Sequence, residues 1–197
     1  DDLLEEAAID REGAFELNPV FEKVVADLLG VARQYHDRVD NELEWIGLFS
    51  DFPKESKKYA KLKIVNPIMQ QVQDAIEHSE QLRAQKDLNA LHKFNHLKTL
   101  EGIVHQLHAV LGDDDLSFKA IANAYVDEIS TCSVLAHNQF DETELAVEML
   151  TWASQLPSYD SIKQSVAEKK QQLEEILRDQ AELESYAPIF EELKKPI

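Results

Sequence analysis

Apolar residues recur along this chain every three or four positions and alternate with polar ones almost nowhere. Phe21, Val24, Val25, Leu28, Val31, Ala32, Tyr35, Val39, Leu43 and Ile46 keep that spacing, which puts them on one helical face. Asn18-Pro19 supplies a cap followed by proline at the first helical position, so the pattern predicts a helix from there to about Gly47. Asp51-Phe52-Pro53 breaks it. Helices are then predicted over 54–64, and over 67–85 after a second Asn-Pro pair at Asn66-Pro67. The next run is 88–111, capped by Asp87 and stopped by Gly112. Further helices are expected over 118–138 behind Ser117, over 142–156 behind Asp141, and over 160–185, with Pro188 interrupting the last.

These runs amount to about six main helices with short connections, which make successive helices antiparallel neighbours. The fold class expected is all-α, an antiparallel helical bundle or stacked helical hairpins. Residues 1–17 read as an N-terminal arm and 18–197 as a single helical domain, because no Pro/Gly/Ser-rich linker divides them. Composition agrees: 5 Gly and 6 Pro are few for an all-β chain of 197 residues. The start at Asp1-Asp2 rather than Met is what an excised domain or a processed product would show.

Charge narrows the function classes. The net charge of −18 opposes binding to nucleic acid or to an anionic membrane and favours a basic protein partner. Apolar runs fall far short of the ~18 residues that span a bilayer, so no membrane insertion is expected. With one cysteine, Cys132, no internal disulfide forms, and the chain is expected in the cytoplasm. The one basic island is Lys54, Lys57, Lys58, Lys61 and Lys63.

Candidate chemistry is sparse. Glu101, His105 and His108 share one helical face and form a candidate metal set. The paired-helix Glu-x-x-His pattern of di-iron bundles and the His-Glu-x-x-His of zinc proteases are both absent. Neither a Walker loop nor a Gly-x-Ser-x-Gly elbow occurs. His36-Asp37 is similar to the metal-binding pair of the HD phosphohydrolases, but no histidine precedes it to complete that set. Asp113-Asp114-Asp115 lacks the glycine and glutamate that a calcium loop needs, and reads as a polar loop before a helix. Cys132 lies mid-helix with His137 turned away from it, as for a buried structural thiol. No cofactor is expected.

Two partial resemblances bear on fold and function. Ala146, Leu150, Ala153 and Pro157 resemble the second half of a tetratricopeptide repeat, which implies a helical hairpin over 118–157. Where that repeat's first helix carries its signature, this chain has Ser130, Ser133-Val134 and His137. Asp37 with Asp40 and Glu77 with Glu80 are each one helical turn apart. They resemble the carboxylate pairs with which MazG-type all-α nucleotide pyrophosphohydrolases hold Mg²⁺, although that family's second motif, Glu-x-x-Asp, is missing, because Asp37-x-x-Asp40 comes first and has the wrong residues. The alternative reading is therefore a metal-dependent nucleotide phosphohydrolase.

The leading expectation is a non-enzymatic interaction module: an adaptor, scaffold, regulator or chaperone-like domain. Its expected partner-binding residues are Lys54, Lys57, Lys58 and Lys61 on the basic segment and Ile162, Val166 and Leu173 along the last long helix. Lys169 and Gln180 interrupt the heptad seam of that helix, which argues against a long self-standing coiled coil.

Overall fold

A computed structural model describes residues 17–35, 42–86 and 95–193, with side chains described for all of these except 17, 18, 35, 42, 95, 96 and 188–193. The chain is all-α, and no strand occurs among the described residues. Its helices are α1 (Leu17–Tyr35), α2 (Lys54–Ala84), α3 (Asn95–Lys98), α4 (Glu101–Leu111), α5 (Leu116–Phe140), α6 (Thr143–Ala153) and α7 (Asp160–Leu193), with a 3₁₀ helix over Glu42–Phe49. Two compact units divide the chain, Asp1–Gln70 and Gln71–Ile197.

In the first unit, α1 buries Val25 and Leu29, and the 3₁₀ helix buries Leu43, Trp45 and Phe49. The stretch Glu42–Phe49 was expected as the end of one α-helix and is instead wound as 3₁₀. Turns from Gly47 and Phe49 to Ser50 and Phe52 follow it, and the Phe52 ring meets Phe49 edge-on at 5.3 Å. Helix α2 then runs without a break through Pro67, where the sequence pattern placed a new start. A mid-helix proline costs about 3 kcal/mol. Here Ala60, Ile64 and Val65 are buried before it and Val72 and Ile76 after it, so packing on both sides offsets that cost.

The second unit is organised by α5. Phe118, Ile121, Ala122, Tyr125, Val126, Ile129, Cys132, Ser133 and Ala136 are all buried and line one broad face of the helix. Helices α4, α6 and α7 pack against it, and α6 also packs on α7. Trp152 of α6 meets Tyr125 edge-on at 6.1 Å. Asp141 takes the left-handed conformation (φ 58°) and closes α5, its amide reaching back to the His137 carbonyl at 3.2 Å and the Glu142 amide to that of Ala136 at 3.1 Å. That corrects its expected role as the cap of α6, whose first turn has no side-chain cap. Thr143 instead pairs its hydroxyl with His137 Nδ1 at 3.0 Å across the turn. Likewise Asp115, not Ser117, caps α5: its carboxylate accepts from the Ser117 and Phe118 amides, both at 3.0 Å.

The helix expected over 88–111 is broken at Thr99-Leu100, and its first residues lie outside the described set. The cause is the Leu97 carbonyl. It accepts from the Leu100 amide, in a 3₁₀ turn, and from the Tyr125 hydroxyl, so a long-range partner replaces the next α-helical bond. Helix α7 passes through Pro188, where an interruption was expected, and ends at Leu193.

Glu128, only 4% exposed, sits at the junction of α2 and α5 within this unit. Arg83 holds it with both arms, Nε to Oε1 at 3.2 Å and Nη2 to Oε2 at 2.9 Å. The Ser79 hydroxyl donates to Oε1 at 2.8 Å, and the Cys132 thiol donates to the same oxygen at 3.3 Å. Burial, reinforced by the Glu128 charge, pushes the Cys132 thiol up to about 12. Replacing one partner strands a buried carboxylate, so Arg83→Met is expected to cost about 3 kcal/mol in urea unfolding. Arg83→Met with Glu128→Leu should recover a large part of that loss. A thiol reagent at pH 8 should label Cys132 only when the chain unfolds, and native labelling at the rate of a free thiol would contradict the thiol's burial.

Candidate functional site

Within the second unit, four chain segments converge on an open cavity of about 390 Å³. The end of α4 brings His108, and the following loop brings Asp113 and Asp114. The first turns of α5 bring Phe118, Lys119 and Asn123, and the α6–α7 connection brings Ser158 and Tyr159, followed by Asp160 and Lys163 on α7. Local chemistry explains each position. Gly112 leaves α4 at φ 77°, a conformation that favours glycine, and turns the chain into the acidic loop. Asn123 fixes the opposite wall, its Oδ1 accepting from the Tyr159 amide at 3.0 Å.

The walls are flat and charged at their edges. The His108 ring stacks on Phe118 with centroids 5.3 Å apart, and Lys119 Nζ stands 4.7 Å over the Tyr159 ring. His108 Nε2 meets Asp113 Oδ1 at 2.7 Å. Asp113 is therefore held below its ordinary value of 3.8, first by the hydrogen bond with His108, then by that ring's charge and the nearby Lys119 and Lys163. The Ser158 hydroxyl oxygen is buried and has no hydrogen-bond partner among the described residues.

The residues singled out from sequence are scattered by comparison. Asp37 and Asp40 lie outside the described residues, as does His36. Glu77 and Glu80 are exposed on α2, and Gln73 donates to Glu77 at 3.2 Å. His105 is exposed and Glu101 half-buried, while His108 is engaged with Asp113 and Phe118. No three His, Cys, Asp or Glu side chains among the described residues are grouped to hold a metal ion. Lys54, Lys57 and Lys58 are exposed on α2 and Lys61 is half-buried. Lys58 also lines a smaller cavity, about 190 Å³, with Phe21, Ser56, Tyr59 and Leu62.

On α7, Val166 and Leu173 belong to the core and Ile162 is half-buried, so this stripe packs within the unit. Lys169, which interrupts the seam in sequence, is accommodated by donating to Ser130 Oγ at 2.8 Å. The same spacing of four and three residues continues through half-buried Ile176 to Gln180, Leu183 and Ala187. From Arg178 to Ala187 every side chain is exposed, Leu183 by 69% and Tyr186 by 45%. The core-facing seam thus outruns its cover.

The sequence did not reveal the cavity's lining. Lys119, Asn123, Ser158, Tyr159 and Lys163 come from segments far apart in the chain, with no local spacing to join them. The acidic loop and His108 were its only members singled out, and neither was read as part of a cavity.

A depressed folded value means that Asp113's favourable interactions are complete above its unfolded value and fade as pH falls through the folded one. An NMR titration should place its midpoint below 3.8. In His108→Gln the midpoint should move back up, and an unchanged midpoint would show that the imidazole is not the main cause. No family model, curated protein or solved structure matches this chain.

Proposed function

We propose that this chain is a non-enzymatic helical interaction module whose partner is a basic, amphipathic helical segment docking along the outer end of α7. The observation that carries this reading is the continuity of the seam. One face of α7 buries Val166 and Leu173, and Leu183, seven residues past half-buried Ile176 on the same seam, is presented to solvent. Most of a helix's stability in a protein comes from packing its apolar face, so an uncovered end that carries Leu183 on the seam favours a covering partner. Charge selects the partner's sign. Glu174, Glu175, Asp179, Glu182 and Glu184 flank the stripe, against Arg178 alone. No helix among the described residues is long and apolar enough to cross a membrane. The basic face of Lys54, Lys57 and Lys58 is left as a secondary, oppositely charged contact.

Leu183→Asp places a charge in the seam, and Ser185→Asp places the same charge on the opposite side of the helix. Both positions are exposed, so neither change should move stability by more than about 0.5 kcal/mol. Affinity capture from source-cell lysate is expected to retain one stoichiometric partner on the parent chain and on Ser185→Asp, and to lose it on Leu183→Asp. An empty capture at low and moderate salt, or equal retention on all three forms, overturns the proposal.

A further inference from the structure

The cavity between α4, α5 and the start of α7 is independent of the α7 seam, and its chemistry is that of a small-molecule site. Its volume of about 390 Å³ lies in the range of ligand pockets. Every charged group that faces it has been placed. His108, Lys119 and Lys163 are the potential cations, and Asp113, Asp114 and Asp160 are the carboxylates. Asp113 pairs directly with His108 at 2.7 Å, while Lys119 and Lys163 line the same cavity. That carboxylate is a loop group, 91% exposed, held by one hydrogen bond to His108. Deeper in, donors remain. Ser158 Oγ is buried without a partner among the described residues, and Asn123 has committed its oxygen to Tyr159, which leaves its amide nitrogen to donate. The start of α7 adds its first-turn amides and the positive end of its dipole. Phe118, stacked on His108, and Tyr159, under Lys119, supply flat apolar walls.

We propose that this cavity binds a small planar organic molecule through an oxyanion, a phosphate or a carboxylate, which displaces Asp113 from His108. The ligand's oxyanion takes the positive ring of His108, Lys119 and Lys163, and its flat part lies between the aromatic walls. Asp113 acts as an internal competitor: it keeps His108 compensated when no ligand is bound, and it lowers affinity when one is.

Phenyl phosphate and benzoate are the two probes, followed by NMR at the Tyr159, Asp160 and Ser161 amides. One of them is expected to give saturable shifts, which identifies the oxyanion as phosphate or carboxylate. Asp113→Asn should tighten binding by about fivefold, since the competitor's charge-assisted bond is exposed and contributes little beyond that. Asp114→Asn removes the same charge from the same loop without touching His108, and should change affinity by less than about twofold. Lys119→Met with Lys163→Met should abolish the shifts while leaving the rest of the spectrum unchanged. Absence of saturable shifts with both probes, in the parent and in Asp113→Asn up to about 10 mM, overturns the proposal. So does an equal gain from Asp114→Asn, which would reduce the effect to net charge.

Discussion

One buried carboxylate sets the geometry of the second unit. Glu128 is the only charged residue buried among those described, and it is satisfied from two helices at once. Buried ion pairs seldom add net stability over an apolar core, since desolvation consumes most of the attraction. Their value lies in direction. The two-armed grip of Arg83 fixes the axial position and rotation of α2's last turns against Glu128 of α5, whereas apolar contacts alone would tolerate a slide. Ser79 and Cys132, one turn from Arg83 and Glu128 on their own helices, then fall into place around the same oxygen. The unreactive thiol is a by-product of that arrangement.

A second long-range bond works one turn earlier on α5. The Tyr125 hydroxyl holds the Leu97 carbonyl and so breaks the helical run that the apolar spacing would have continued. The chain restarts as α4, and its last turn delivers His108 to the cavity. Asn123, on the next part of α5, holds the connection into α7 through the Tyr159 amide. The cavity is thus framed by polar bonds from α5 to segments on either side, while the apolar core supplies the rigidity behind them.

This division explains what could be read from the sequence. Helices were legible because each buries one face, and the three-to-four spacing records that face whatever it packs on. The breaks were legible only where their cause is local. Gly112 ends α4 through its own backbone freedom and was found. The break at Leu100 depends on a tyrosine far along the chain and was not. Asp115 and Asp141 show a subtler limit, because an aspartate before a helix is equally suited to capping the next helix and to closing the previous one. The choice falls to φ, which the neighbouring turns impose. Pro67 and Pro188 show the converse: a local breaker is overridden, at Pro67 by packing on both sides. In α7 the pattern was read correctly but not its partner. Val166 and Leu183 look alike in sequence, and only the position of α6 and α5 decides that one is core and the other is exposed.

The two proposed roles make opposite demands on the electrostatics of a chain with net charge −18. A basic helix is drawn to the acidic end of α7 by the long-range field, so added salt should weaken that encounter. A small oxyanion approaching the cavity is repelled by the same field until it comes within reach of His108, Lys119 and Lys163. Added salt screens the distant repulsion more than the close contacts, so the ligand should lose less affinity than the partner does, or gain some. A competing anion in the buffer would reverse this by occupying the cations itself, which makes chloride and sulfate unequal choices of salt. Charge that attracts a macromolecule and charge that admits a small anion thus coexist because they act at different distances, one across the surface of α7 and the other inside a single cavity.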